Sequence, residues 1–214
     1  MRVVVLKGAG EKAFVAGADI SQFKEKRTGE EAVREYNAAS DRASIALREF
    51  PKPTIAMIRG YCIGGGTGLA VGCDIRIAAD DARFAIPAGK LGLGYRYSGI
   101  ERLADVVGPS ATAEIFFTAR QFTAQEALQM NLVNRVVPAA ELEKYTLDYA
   151  ATIANNAPLT IASIKRSLIE YLRDPGERNP DLCQKMVEDC FKSEDYREGQ
   201  AAFMEKRKPM FKGR

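Results

Sequence analysis

The stretch GYCIGGGTGLAVGCDIR, Gly60 to Arg76, is the most informative in the chain. Three consecutive glycines, Gly64 to Gly66, lead into TGLAVGCD. That reads as a tight loop feeding a helix, built so that something can approach its backbone. Gly68 falls in the first turn of that helix, where a glycine costs about 1 kcal/mol relative to alanine. Working outward, TIAMIRG before the loop is a continuous apolar run and predicts a buried strand. DIRIAAD and ARFAI after it predict two more. Upstream, RVVVLKG predicts another buried strand, followed by the loop AGEKAFVAGAD. Gly29 to Phe50 carries Val33, Tyr36, Ala43, Leu47 and Phe50 at helical spacing and ends at PKP. Downstream, Asp105 to Ala119 predicts a helix. TAQEAL carries a capping box, with Thr123 as N-cap and Glu126 three residues on, and LVNRVVP predicts a last strand closed by Pro138. From Ala139 onward the chain reads as helical, broken at APL and DPGERNPD. Strands alternating with helices and then giving way to helices alone predict an α/β body over residues 1–138 and a helical region over residues 139–214.

The composition excludes several classes. The chain has 214 residues, 46% of them hydrophobic and 28% charged, with a net charge of +3 that is too small to argue for nucleic acid. It has no histidine, which removes Ser-His-Asp and Cys-His catalysis and HExxH zinc sites. Cys62, Cys73, Cys183 and Cys190 form no CxxC pair and read as reduced thiols. No apolar run reaches about 18 residues, so no membrane span is expected. MRVVVLKG opens in a strand rather than a signal peptide. These features together predict a cytoplasmic protein.

Two glycine patterns could mislead. GAGEKA, Gly8 to Ala13, fits the dinucleotide pattern GxGxxG/A, but that pattern needs a helix to open at once on the pyrophosphate. FVAGAD follows instead, and a plain loop is the better reading. GGGTG lacks the lysine that a phosphate-binding P-loop requires. There remain two loops, VAGADI and IGGGTG, each following a buried strand and each with glycine where a Cβ would obstruct close approach. One peptide N–H from each could converge on a single oxygen, the second of them at a helix N-terminus. Such an oxyanion hole contributes roughly 3–4 kcal/mol of transition-state stabilisation per donor. Ordinary strand-to-helix turns are the alternative that the residues alone leave open.

AFVAGADI followed by GYCIGGGTGLAVGCDIRIAADDARFAIP closely resembles the crotonase superfamily, the enoyl-CoA hydratase/isomerase group. The likeness continues through EIFFTARQFTAQEALQMNLVNRVVP, APLTIASIKRSL and FMEKRKPMFKG, essentially the whole chain. The resemblance implies a spiral of ββα units with a C-terminal helical trimerisation region, the trimers often pairing into hexamers. It implies an acyl-CoA thioester substrate, with coenzyme A entering only as part of that substrate and no metal or redox cofactor. By motif match, the N–H groups of Ala18 and Gly65 would hold the thioester oxygen. Ala16, Asp19, Ile20 and Ser21 would line the coenzyme A path, and Phe203 and Lys206 would reach a neighbouring subunit's coenzyme A. The rest of the basic tail, Arg207, Lys208, Lys212 and Arg214, reads as a solvated charge run. The family normally begins with a further strand hairpin and helix, so the resemblance also implies that this chain lacks them, leaving a sheet edge unpaired.

The sequence departs from the family at two positions. Hydratases carry one glutamate two positions after the triple glycine and another just after the proline of the FAIP strand. Here these are Gly68 and Ala88. General acid–base groups contribute about 10²–10⁴-fold each, so hydration by the usual route is not expected. The following wall, LGLGYRYSGIER, offers Tyr95, Arg96, Tyr97, Ser98 and Glu101, and resembles the methylmalonyl-CoA decarboxylase branch near Tyr95. There a phenol could supply a proton and Arg96 could hold an anionic acyl group. Packing for Tyr95 and Tyr97, and a surface or interface place for Arg96, are the alternatives. Three functions follow: an acyl-CoA enzyme of the hydratase/isomerase type that stabilises a thioester enolate; a malonyl-type CoA decarboxylase or C–C hydrolase; and a coenzyme A-binding or assembly protein without catalysis.

Overall fold

The computed structural model describes residues 1–17 and 30–214, which hold eight strands and eight α-helices. The strands form two four-stranded sheets. One runs in the order β1 (Val4–Lys7), β3 (Thr54–Ile58), β5 (Ile75–Ala79), β8 (Arg135–Val137), and the other β2 (Ala13–Val15), β4 (Tyr61–Ile63), β6 (Arg83–Ala85), β7 (Phe122–Thr123). β3, β5 and β8 are parallel, as are β2, β4 and β6, while β7 pairs antiparallel with β6. Each odd strand in the first sheet is followed by an even strand in the second, and then by a helix. β3 and β4 lead to α2 (Gly65–Gly72), and β5 and β6 lead to α3 (Tyr97–Thr118). α1 (Glu30–Arg48) occupies the corresponding place after β2. This is the ββα spiral that the resemblance implies.

Every residue of β3 is buried, which is why TIAMI reads as an unbroken apolar run rather than an alternating one. Phe14, Ile58, Cys62, Phe84, Leu103 and Phe122 belong to one buried cluster. Arg76, almost fully buried, is paired by backbone: its Nε donates to the Leu132 carbonyl at 2.7 Å and its guanidinium to the Cys73 carbonyl at 2.8 Å. Residues Gly8 to Lys12 form an irregular, bent loop into β2, with no helix opening after GAGEKA.

Several elements differ from expectation, among them β2 (Ala13–Val15), a strand inside the stretch AGEKAFVAGAD that reads as a loop. α3 begins at Tyr97, eight residues before Asp105, and is broken at Gly108 (φ 78, ψ 163), just before Pro109. The stretch read from sequence as a wall is therefore partly the first turn of a helix. β4 was not anticipated. It has three residues, and only its place between β2 and β6 makes it a strand. The capping box is present as expected: Thr123 Oγ1 accepts from the Glu126 N–H at 3.2 Å, and Glu126 Oε2 from the Thr123 N–H at 2.7 Å, opening α4 (Ala124–Gln129).

The chain divides into two compact units. One comprises residues 5–48 and 55–146. The other comprises residues 1–4, 49–54 and 147–214 and is dominated by helices, the division falling inside α5 (Leu142–Ala154). In the helical unit α6 (Pro158–Tyr171) is followed by α7 (Pro180–Lys192) and α8 (Glu194–Met204). The closing segment is strapped to α8. The buried Asp195 accepts from the Lys212 and Gly213 N–H groups at 2.6 and 2.8 Å, and Glu198 takes Arg207 in two hydrogen bonds of 2.6 and 2.9 Å. Arg214 pairs with Glu194. Arg207 and Arg214 are thus ion-paired, contrary to the solvated run expected, because the tail folds back on the acidic first turns of α8. Among the described residues, no helix is long and apolar enough to cross a membrane.

Candidate functional site

Parallel pairing decides where the loops go. β2, β4 and β6 lie side by side and point the same way, so the loops leaving their carboxyl ends emerge along one edge. Those loops carry Ala16 and Gly17, the triple glycine, and Pro87–Leu91 with Ala88. The carboxyl edge of parallel strands is where open α/β sheets place ligands. Gly17 lies against the next strand's end: a Cβ on it would stand 3.8 Å from the Ile63 carbonyl oxygen. Ala16 is exposed on this loop. Ala18, Asp19, Ile20 and Ser21 lie outside the described residues.

The triple glycine is built from both sides. Gly64 has φ 57 and ψ −114, a left-handed conformation that a side chain would strain, and its N–H donates to the Ala85 carbonyl at 2.7 Å. Thr67 turns inward, its hydroxyl 2.9 Å from the Cys62 carbonyl and 3.3 Å from that of Ala85, and so staples the loop to β4 and β6. Gly66 has no room for a side chain, because a Cβ would lie 2.1 Å from the Val15 carbonyl oxygen. At the far end of α2, Gly72 faces Leu47 of α1, and the Val71 carbonyl accepts from Arg102 of α3 at 3.2 Å.

Gly65 and Gly68 differ from these. Both are exposed, and a Cβ on either would meet nothing within 4 Å. Three residues apart, they share one face of α2. The Gly65 N–H stands in the first turn, where a helix leaves its amides without an intrahelical acceptor and the dipole favours negative charge. The arrangement can hold an oxyanion, and it places the empty Gly68 position one turn along the same face. Ala88 is buried in the 3₁₀ segment Pro87–Leu91, and its carbonyl accepts from the Leu93 N–H at 3.1 Å.

Tyr95 and Arg96 have distinct places. The Tyr95 ring packs edge-on against Phe116 of α3, with centroids 4.7 Å apart and an interplanar angle of 66°. The ring also packs against the buried core cluster, as the packing alternative had it, and lies beside Gly99, where a Cβ would stand 2.7 Å from it. Burial raises the phenol's pKa above its ordinary value, partly offset by the Arg96 charge. Among the described residues the phenol oxygen has no hydrogen-bond partner. Arg96, the N-cap residue of α3, forms an ion pair with Asp41 of α1, so its charge is taken up within the protein. Tyr97, Ser98 and Glu101 are exposed. Cys62 beneath the loop stays a thiol: burial pushes its pKa to about 12, despite a lowering hydrogen bond with Thr67.

Sequence reading missed Gly99 and Phe116. Phe116 looks like any core aromatic, and the signal at Gly99 was a glycine in a helical first turn, visible only once the helix start was known. In the other unit, Phe203 and Lys206 are exposed, and Phe203 lines a cavity of about 620 Å³ together with Leu159, Ile164, Val187, Phe191 and Phe211. Among the described residues no cluster of three or more Cys, Asp or Glu is arranged to hold a metal ion.

Comparison with known proteins identifies the family. The family described as enoyl-CoA hydratase/isomerase matches residues 1–214. A short-chain-enoyl-CoA hydratase of Clostridium acetobutylicum is 38% identical over 205 residues, covering 96% of this chain and 78% of the relative. A carnitinyl-CoA dehydratase of Escherichia coli O157:H7 is 36% identical over 218 residues, covering 100% of this chain and 82% of the relative. The crystal structure of an enoyl-CoA hydratase/carnithine racemase from Magnetospirillum magneticum superposes with a TM-score of 0.91 at 37% identity, covering 100% of this chain and 79% of that one.

Proposed function

The chain belongs to the enoyl-CoA hydratase/isomerase family and is an acyl-CoA-processing protein of that type, and from that premise we propose that it makes a thioester enolate by releasing CO₂ from a malonyl-type acyl-CoA. The observation that carries the reading is the open, uncharged position at Gly68 beside the Gly65 N–H. A family site that draws a proton from the α-carbon needs a base there, and this chain offers none at Gly68 or Ala88. A substrate that carries its own α-carboxylate needs no base. Its Cα–CO₂⁻ bond breaks, the electron pair forms the enolate, and the charge moves to the thioester oxygen, held by the N–H groups of Gly65 and Ala18. The enolate carbon then takes a proton from the Tyr95 phenol, which recovers one from water. Burial keeps that phenol protonated at neutral pH.

Charge favours the same reading. A glutamate about 5 Å from the substrate carboxylate would repel it by about 3 kcal/mol at an effective dielectric of about 20. Glycine removes that charge and leaves volume for the carboxylate before it departs. Arg96 is already paired with Asp41 and is given no part in binding the acyl group.

The names of the relatives favour a second reading, hydration of a short enoyl-CoA. One experiment separates the two: purified protein with methylmalonyl-CoA beside crotonyl-CoA, following CO₂ release and loss of the enoyl chromophore. CO₂ release with no hydration is expected. Hydration at an ordinary hydratase rate would overturn the decarboxylase reading.

A homotrimer, or a dimer of trimers, is proposed as the working form. α6 and its C-cap residue Leu172 carry an apolar stripe, Ile164, Leu168, Tyr171 and Leu172, all exposed and at helical spacing, with Tyr171 70% exposed. Such a stripe exceeds what an isolated surface helix ordinarily shows. Phe203 and Lys206 would then meet coenzyme A bound by a neighbouring copy. Light scattering should give three or six times the chain mass, and Leu168→Glu should lower it; a monomeric wild type would end this part of the proposal.

A further inference from the structure

The first turn of α3 contains a glycine that the backbone does not require. Gly99 takes helical geometry, with its N–H 3.1 Å from the Arg96 carbonyl, and its φ is not positive. In that position alanine would favour the helix by about 1 kcal/mol. What excludes a side chain is Tyr95, four residues back. A Cβ at Gly99 would lie 2.7 Å from Cε1, 3.2 Å from Cδ1 and 3.7 Å from Cζ of its ring. A contact this short obliges something to move. Phe116 packs edge-on against the same ring at a centroid distance of 4.7 Å, so a ring that shifts also disturbs that contact. The next residue, Arg96, is ion-paired with Asp41 of α1. Tyr95 is therefore held between a missing side chain and an aromatic ring, with its hydroxyl left unused by the described residues.

We propose that Gly99 is a positioning residue for Tyr95: its missing side chain lets the tyrosine ring lie back on the first turn of α3 against Phe116, which fixes the face of the enolate to which the phenol delivers its proton. This rests on the decarboxylase reading and adds to it the residue that sets the stereochemistry of protonation. Adding one methyl at Gly99 moves the ring by several tenths of an ångström or more, and a misplacement of that order costs up to about 10²-fold in rate. The loss falls on the proton transfer, not on substrate binding.

The test is decarboxylation of methylmalonyl-CoA in D₂O by the wild type, Gly99→Ala, Tyr95→Phe and the double variant, reading kcat, KM and the configuration of the deuterium at Cα of the propionyl-CoA formed. The wild type should give one configuration. Gly99→Ala should lower kcat about 10- to 100-fold with KM changed less than about threefold, and should give a mixture of configurations. In the Tyr95→Phe background, where no hydroxyl remains to be misplaced, Gly99→Ala should lower kcat no further. A Gly99→Ala enzyme that keeps both kcat and a single configuration overturns the inference and leaves the decarboxylase standing, as does a Gly99→Ala penalty that is undiminished in the Tyr95→Phe background. A wild type that releases no CO₂ overturns the function and the inference together.

Discussion

The first turns of α2 and α3 make a useful pair. Each contains glycine where a helix would be better served by alanine, and the reasons are opposite. On α2, Gly68 faces open space, with nothing for a side chain to meet. On α3, Gly99 faces a ring that would collide with the first atom added. Gly66, two residues before Gly68, resembles Gly99 rather than its neighbour, since β2 lies hard against it. The same residue type thus marks a place kept empty for something from outside and a place already filled from inside. In the proposed function the first kind serves the substrate and the second serves packing, and Gly99 joins the two because what fills its space is a proposed catalytic group.

The comparison can be broken in stages. The largest effect is expected at Gly66→Ala. Its Cβ would meet a backbone oxygen that no rotamer change can move, so the loss should be about 3 kcal/mol or more in urea unfolding, or a failure to accumulate folded protein. A variant as stable as the wild type would show that Gly66 is not packed as described. Next comes Gly68→Glu. It should fold normally but decarboxylate about 10²-fold more slowly, the equivalent of about 3 kcal/mol of repulsion on the substrate carboxylate. Undiminished CO₂ release would mean that the open position does not face the substrate. Gly68→Ala is a smaller change, a gain of about 1 kcal/mol in stability from helix propensity alone. A loss instead would show that the face is not open.

The smallest effect concerns the α3 side and pH. The Tyr95 pKa is raised by burial, so the folded state holds this proton more tightly than the unfolded one. That contributes stability present below the unfolded tyrosine value of about 10 and lost as pH rises through the folded value. The stability difference between wild type and Tyr95→Phe should therefore stay constant from about pH 6 to pH 9 and shift against the wild type only above about pH 10. The same reasoning makes kcat for decarboxylation flat across the lower range. A fall centred near neutrality would point to another proton donor.

Much of this was legible in the chain alone. TIAMI could be read because burial on both faces demands an unbroken apolar run, whereas RVVVLKG, expected to be buried as well, yields the strand Val4–Lys7 with no fully buried residue. The helix at TAQEAL could be read because Thr123 and Glu126 satisfy each other's amides locally. What failed was anything held by distant partners. YCI has no strand signal of its own and pairs only because β2 and β6 flank it. The early start of α3 runs against the propensity of Gly99. The tail arginines looked solvated because Glu194 and Glu198 are between nine and twenty residues away in the chain.

By itself, the sequence determined the family and the absence of carboxylates at Gly68 and Ala88, because residue types at fixed spacing need no partner to be recognised. The tertiary structure alone separated the glycines. Whether a missing side chain leaves room for a ligand or for a neighbour depends on which atoms lie within about 4 Å, the range of van der Waals contact, and those atoms come from Val15, Leu47 and Tyr95, brought there by sheet pairing and helix packing.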